Sequence, residues 1–368
     1  MFRIEMLPAG HGDSLLLEYG DAVAPHRVLI DAGPFYAYKS FAQCISDLAS
    51  SGQTFELFVI THVDTDHIDG AIKLLGAAPS GINLRDVWFN GWDHLLPGRK
   101  GKQERGPVQG EMLSALLKDN KLPWNAAFEG QAVAVEKGLP PPVKPLEGGL
   151  AITLLSPQWK ELTNLNPQWE TKVRAAGLEP GSREKALEKL KESPRYRPRR
   201  AGPPNIRALA AQRFEEEKSK TNASSIAFLA EYGGKTCLFA ADAQPYRLVD
   251  SIQALLRQRG ERWLKVDVVK LSHHGSRGNT SPELLSLLDC KHFLISTNGG
   301  GGFKPPHPHG EAIARIVEGC GPGVELWFNY CTKLTDPWDN LGLMQQHHYK
   351  VHYPEEGQEG LVVPVSEL

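Results

Sequence analysis

The sequence predicts a protein of the α/β or α+β class. Short apolar runs bounded by Gly, Pro and Asp recur along the chain, and amphipathic helical patterns are interspersed among them from end to end. The composition agrees: 41% hydrophobic and 23% charged residues, with 36 Gly and 27 Pro, exclude collagen, coiled coil and wholesale disorder. The 368 residues suffice for about two domains of about 150 residues, or for one large domain with insertions.

Strand-like runs open the chain at Phe2 to Leu7, Ser14 to Tyr19 and Arg27 to Ile30, separated by Gly, Asp and Pro, as in an antiparallel meander. A helical pattern covers Tyr38 to Ser50, a buried strand follows at Phe55 to Ile60, and a helix begins near Asp66 or His67. Further strands are expected at Asp86 to Phe89, Leu150 to Leu155, Ser225 to Glu231, Thr236 to Phe239, Val266 to Lys270 and His292 to Ile295. Helices are expected at Glu111 to Asp119, Pro245 to Arg257, Pro282 to Leu288 and Glu311 to Val317.

One stretch departs from this alternation. Residues 164–221 are polar, helix-prone and Pro-rich, and from Arg183 to Arg213 ten Lys or Arg face three Glu. We read an insertion, 164–221, between the two halves of one domain, 1–163 and 222–368. It is either a solvated helical lid with a Pro-Arg hinge at Ser193 to Pro204, or a basic clamp for an anionic substrate.

Charge is nearly balanced, 41 Lys and Arg against 43 Asp and Glu, so any nucleic-acid contact must be a local patch. Five scattered cysteines, Cys44, Cys237, Cys290, Cys320 and Cys331, form no CxxC pair, as expected of reduced, mostly buried thiols. No apolar stretch reaches the roughly 18 residues of a membrane helix. The first residues run directly into strand-like sequence, so neither an export signal nor an anchor is expected, and the location expected is cytoplasmic.

The chemistry concentrates in Thr61-His62-Val63-Asp64-Thr65-Asp66-His67, directly after an apolar strand. Four potential ligands this dense suit more than one cation. His62 and Asp64 can converge on one, while Asp66 and His67 turn toward a neighbour. Asp64 or Asp66 could instead cap the following helix, but a cap needs no histidines. Two later strand ends supply what a binuclear site still lacks: Asp242, in Ala240-Ala241-Asp242-Ala243, could bridge the metals, and His273, in Ser272-His273-His274-Gly275-Ser276, would complete the second. Each in isolation reads as an N-cap or as surface polarity; their order with the first cluster favours a metal site.

Together with Gly10-His11-Gly12-Asp13-Ser14, Leu29-Ile30-Asp31-Ala32-Gly33 and Pro306-His307-Pro308, these motifs resemble those of the metallo-β-lactamase-fold hydrolases. Within them the chain is most similar to the soluble domain of bacterial competence DNA-uptake channels and their free-standing relatives. The resemblance implies a four-layer αββα sandwich with metals at one edge of two sheets. It implies His62 and Asp64 on metal one, Asp66, His67 and His273 on metal two, and Asp242 between them. It also suggests Asp31 as a partner that orients a ligand histidine, although Asp31 could equally close the turn before Gly33.

Two departures from the commonest pattern of that family bear on mechanism. Asp64 stands where most members carry His, and its harder oxygen tilts preference from zinc toward manganese or magnesium. The third His that many members supply before the bridging Asp is missing from Thr221-Asn222-Ala223-Ser224-Ser225, which leaves metal one weakly held. The Asn-x-x-Ser pattern is similar in the competence-type relatives. His94 is the one His between the first cluster and Asp242, and is a lesser candidate for metal or substrate.

Two divalent ions, Mn2+, Zn2+ or Mg2+, suit hydrolysis of a phosphodiester by activated water, with Asp242 and Asp66 as catalytic positions. His274, Asn222, Ser276 and His307 are candidates to bind phosphate or protonate a leaving oxygen, His307 being equally readable as a plain loop residue. Gly299 to Gly302 with Phe303 and Lys304 form a lip where phosphate could bind. The leading expectation is a phosphodiesterase or nuclease. The rivals are hydrolysis of a small phosphoester, cyclic nucleotide, lactone or amide, and a scaffold that lost turnover, against which the intact ligand set speaks.

Overall fold

The computed structural model describes residues 1–48, 53–76, 82–91, 94–95, 108–164, 204–300, 306–355 and 358–368. Two sheets dominate. The first holds, in spatial order, Leu361–Val363, Phe2–Met6, Leu15–Gly20, Pro25–Ile30, Leu57–Val59 and Val87–Trp88. The second holds Tyr349–His352, Val324–Phe328, His292–Ile295, Val268–Lys270, Lys235–Phe239, Ala227–Tyr232, Ala151–Ser156 and Val143–Pro145.

Each sheet has an antiparallel part and a parallel part. Pro25–Ile30, Leu57–Val59 and Val87–Trp88 run parallel, as do Lys235–Phe239, Val268–Lys270 and His292–Ile295. Parallel strands need crossover helices on the outer faces, so both faces of these strands are covered and their sequences read as unbroken apolar runs. Side chains accordingly alternate between two cores. Leu15, Leu17, Val28, Ile30, Leu57 and Val59 meet Phe228, Phe239, Val268 and Leu294 between the sheets. Leu16, Leu29 and Phe58 turn outward onto Phe41, Ile68 and Leu113 of one helical layer. Leu229, Leu238, Val269 and Phe293 turn onto Leu248, Ile252, Ile313 and Ile316 of the other. The order is helix, sheet, sheet, helix.

The helices end where chemistry dictates. Pro245–Arg259 starts with Pro in its first turn and stops at Gly260 in the left-handed region (φ 68°), with Arg257 and Arg259 in the last turn. Thr65–Gly76 packs tightly enough that a Cβ on Gly70 would lie 2.0 Å from the Ala32 carbonyl oxygen. The expected strand Phe55 to Ile60 is two pieces. Gln53–Phe55 pairs with Ile82–Leu84 in a separate ladder and Leu57–Val59 joins the first sheet. Between them Glu56 turns its buried carboxylate to His26 (2.9 Å) and Arg85 (3.1 Å).

The division at 163 does not follow the sheets: Val143–Pro145 and Ala151–Ser156 already belong to the second, and Leu361–Val363 returns to the first. Residues 165–203, the greater part of the expected insertion with its Pro-Arg hinge, lie outside the described residues. Its returning limb makes a few contacts with the domain. Ile206 enters the second helical core, Arg315 stacks on Phe214 (5.4 Å) and donates to the Gln212 carbonyl (3.3 Å), and the Glu217 amide donates to the Gly278 carbonyl (3.1 Å). Of the cysteines, Cys237 and Cys290 are buried, Cys44 and Cys320 half-buried and Cys331 exposed, so the thiols are less buried than expected. Among the described residues no helix is long and apolar enough to cross a membrane.

Candidate metal centre

The loops that leave the carboxyl ends of the parallel strands meet at one edge of the two sheets, the position where open α/β sheets place their sites. Asp31 follows Pro25–Ile30, Thr61 to His67 follow Leu57–Val59, Asp242 follows Lys235–Phe239, and His273 and His274 follow Val268–Lys270. Backbone bonds tie them together: Asp31 N to Val59 O (2.8 Å), Ile226 N to Thr61 O (2.9 Å) and His273 N to Ala241 O (2.9 Å). Asp31, Ala241, His273 and His274 all have φ between 47° and 57°, a left-handed conformation that non-glycine residues hold only where the surroundings enforce it.

Asp242 is the hub. Its Oδ1 lies 3.5 Å from His67 Nε2, and its Oδ2 lies 3.7 Å from both His62 Nε2 and His273 Nε2. Asp64 Oδ2 stands 3.7 Å from His62 Nε2, and Asp66 Oδ2 stands 3.8 Å from His67 Nε2 and 3.3 Å from His274 Nε2. Asp13, His67, Asp242 and His274 bring one donor atom each to within 4.8 Å of one another. His62 Nε2, His67 Nε2 and Asp242 Oδ1 are buried with no hydrogen-bond partner. Buried polar atoms are nearly always satisfied, so this convergence of orphaned lone pairs fits divalent cations.

The proton positions agree. The Asp31 carboxylate accepts from the Thr61 amide (2.8 Å), from the Thr61 hydroxyl (2.7 Å) and from His67 Nδ1 (2.8 Å). With its proton given to Asp31, the Thr61 hydroxyl accepts the Nδ1–H of His62 at 3.0 Å. Both rings are thereby fixed with the proton on Nδ1 and Nε2 facing Asp242. Asn279 Nδ2 donates to the Asp242 and Ala243 carbonyls (3.3 and 3.4 Å), which leaves its Oδ1 against His273 Nδ1 at 3.3 Å, where the Asn222 amide nitrogen also stands at 3.2 Å, so this ring nitrogen faces an acceptor and a donor together. His274 Nδ1 donates to the Ser296 carbonyl at 3.0 Å.

The electrostatics are those of a cage demanding positive charge. Burial opposes ionisation of every group here, yet Asp66 is held well below the usual carboxylate range by His67 and His274. Asp242 is held at about 2, against its burial, by His273, His67 and His62. The same carboxylates lift His67 well above an ordinary imidazole, and Asp13 and Asp66 lift His274 to about 9, again against burial. Protons occupy the role that cations would take.

The expected grouping differs in one respect. His273 shares the Asp242 oxygen with His62, whereas His274, expected to handle phosphate, lies with Asp66 and His67. With both residues in the left-handed region, the consecutive rings reach different partners, His273 the Asp242 carboxylate and His274 that of Asp66. Asp64 and Asp66 are not helix caps by their side chains: the Asp64 carboxylate accepts from Thr221 Oγ1 (3.1 Å), while its backbone carbonyl takes the amides of His67 and Ile68.

Asn222 donates to Glu217 (3.2 Å) and touches His273 Nδ1 (3.2 Å). Ser276 Oγ accepts the Gly278 amide (3.2 Å) in the turn after the cage histidines. The buried His307 ring meets His273 edge-on at 4.6 Å, and burial together with His273 and His274 lowers it to about 2, a neutral imidazole. His94 packs on Trp124 (4.7 Å) and accepts the Gly91 amide (3.2 Å), a structural place. Lys304 and most of the glycine lip lie outside the described residues. Thr61, Glu217, Lys270 and Asn279 were not foreseen. Of these only Lys270, a charge ending an apolar strand, leaves a trace in the sequence.

Two sheets between helical layers, with a His and Asp cage at the strand-end loops, decide the architecture. The chain has the helix, sheet, sheet, helix sandwich that the resemblance to the metallo-β-lactamase-fold hydrolases implies. The chain is similar to several solved structures over nearly its whole length. The metallo-β-lactamase fold protein YhfI from Bacillus subtilis is 12% identical, with 98% of this chain and 99% of that chain covered and a TM-score of 0.41. A diphosphatase from the PhnP family is 9% identical, with 99% and 97% covered and a TM-score of 0.39. Zn2+-bound PqqB from Methylobacterium extorquens is 13% identical, with 98% and 99% covered and a TM-score of 0.36. No protein-family model and no curated protein matches the chain.

Proposed function

We propose that this protein is a metal-dependent phosphodiesterase acting on nucleic acid, with two divalent cations held on either side of Asp242. The observation that carries this reading is the division of one carboxylate, Oδ1 toward His67 and Oδ2 toward His62 and His273. His62, Asp64 and His273 would hold one cation, and Asp66, His67 and His274 the other. Cations so paired supply an acidified water at neutral pH and offset charge on the attacking and leaving oxygens of an in-line displacement. With imidazole on both sides, and Asp64 and Asp66 each adding a hard oxygen to one of them, Mn2+, Zn2+ and Mg2+ are all to be tried.

The chain's own residues do the rest. Asp31 and Thr61 keep protons on the outer nitrogens of His67 and His62, so that only lone pairs enter the cage. His307, neutral and packed on His273, offers a ring N–H to a substrate oxygen without adding charge. Asn222, held by Glu217, is a further substrate contact of this reading, with Lys304 carried from the sequence alone.

A second reading, a small phosphoester, cyclic nucleotide, lactone or amide, is favoured by one feature. A cavity of about 260 Å3 near the cage is lined by Glu161, Glu216 and Glu217 as well as Lys218 and Lys220, mixed charge that would not attract a long polyanion. The test is hydrolysis of single-stranded DNA, RNA, a cyclic nucleotide and bis(4-nitrophenyl) phosphate with each of the three metals. Diester cleavage abolished by Asp242→Asn, with DNA turnover falling steeply as salt rises, supports the nuclease. Salt-insensitive turnover of small esters alone supports the second reading. Inactivity on every one of these esters with every metal refutes the phosphodiesterase.

A further inference from the structure

Beneath the cage lies a pair that the proposed chemistry does not use. Lys270 is 1% exposed, at the end of Val268–Lys270, three residues before the first cage histidine. Its Nζ lies 2.5 Å from Asp13 Oδ2 and donates also to the Leu271 carbonyl at 3.1 Å. Asp13 comes from the other sheet, 257 residues away along the chain, on the loop between Phe2–Met6 and Leu15–Gly20. That loop is clamped: a Cβ on Gly12 would lie 1.8 Å from the Asp66 carbonyl oxygen, Ser296 Oγ donates to Gly12 O (3.2 Å), and the Asn298 amide donates to Gly10 O (2.8 Å). The second oxygen of Asp13 is buried with no hydrogen-bond partner and faces His274 Nδ1 at 3.4 Å.

A buried ion pair is costly and its removal in halves more so, which makes this pair a poor device for stability alone. Two roles fit Asp13: a ligand, since one of its oxygens falls within the donor cluster, or a support for a ligand. Lys270 decides between them. An ammonium 2.5 Å from the carboxylate opposes a second cation on it, while the oxygen left over lies beside the Nδ1 that must carry the proton if His274 is to present Nε2 toward Asp66. We propose that Lys270 and Asp13 are positioning residues: Lys270 neutralises Asp13, and Asp13, with the Ser296 carbonyl, holds His274 in the Nδ1–H form with Nε2 toward Asp66, setting cation affinity on that side of the cage. The inference rests on the two-cation reading.

The test is titration of the metal-free full chain with Mn2+, read by calorimetry, alongside thermal melting. Asp13→Asn should weaken one of two Mn2+ equivalents by roughly 10- to 100-fold and leave the other unchanged, the usual effect of losing a ligand's outer partner. Lys270→Met should lower the melting temperature, because it strands a buried carboxylate, and Asp13→Asn/Lys270→Met should regain stability but not affinity. Tighter Mn2+ binding by Lys270→Met would make Asp13 a direct ligand and overturn the proposal, as would wild-type affinity for both equivalents in Asp13→Asn. Should the wild type take up no Mn2+, the two-cation reading fails. The pair is then judged in the metal-free protein by the 15N shifts of the His274 ring. Read at a pH above the value of about 9 at which the metal-free ring becomes neutral, an Nδ1–H form in wild type that becomes a tautomer mixture in Asp13→Asn supports it, and an unchanged ring overturns it.

Discussion

The carboxylate of Asp31 accepts the Nδ1–H of His67 at 2.8 Å while its other contacts, the Thr61 amide and hydroxyl, extend its hold to His62. One buried acid therefore governs the proton of a histidine on each side of Asp242. Its left-handed φ of 57° closes the turn before Gly33, so the two roles the sequence offers for it coexist in one residue.

Asp31→Asn keeps the size and tolerates the left-handed conformation but makes a weaker acceptor. It should lower cation affinity roughly 10- to 100-fold while leaving the fold intact. Calorimetric Mn2+ titration with a circular dichroism control checks this. Thr61→Val, which touches His62 through the hydroxyl alone, should weaken one equivalent more than the other.

Acidity should set both stability and metal uptake. In the metal-free protein the folded state raises His62 and His67, and places His274 at about 9, above the ordinary imidazole value of 6.5. Groups raised on folding contribute fully below their unfolded value and lose that contribution as pH rises through the folded one. The melting temperature in chelator should therefore fall from pH 6 to pH 9, the depressed Asp66 and Asp242 staying ionised throughout. With excess Mn2+ the fall should vanish, because ligands must shed their protons to bind and affinity climbs over the same interval. Melting curves at pH 6, 7.5 and 9, with and without metal, read both.

Gly12 tests the clamp between the first loop and the first helix of the cage. A methyl group there collides with the Asp66 carbonyl, which is backbone and cannot swing aside. Gly12→Ala should cost about 2–3 kcal/mol or more, and should lower Mn2+ affinity through displacement of Asp66. Urea unfolding of the metal-free protein, followed by titration, measures the two separately.

The fold class and the cage were legible because strands covered on both faces write themselves as apolar runs, and because ligand chemistry restricts residue types at their ends. The central strands Arg27 to Ile30, Thr236 to Phe239 and His292 to Ile295 were placed within a few residues of the observed bounds. The edge strand Tyr349–His352 escaped notice because its outward residues are polar. Lys350 and His352 both meet Glu325 (3.2 and 2.8 Å), charge that shields an exposed edge and hides the strand's period. The pairing of His273 with His62, and of His274 with Asp66, could not be read either. Two adjacent histidines look alike in sequence, and it is the left-handed backbone at both that accompanies their different partners, Asp242 for His273 and Asp66 for His274.

The measurement that bears most directly on the central claim is anomalous diffraction from crystals soaked in Mn2+. Two peaks are expected, one bounded by His62, Asp64 and His273 and the other by Asp66, His67 and His274, with Asp242 contributing an oxygen to each. A single peak away from Asp242, or none with the imidazoles turned apart, would contradict the account.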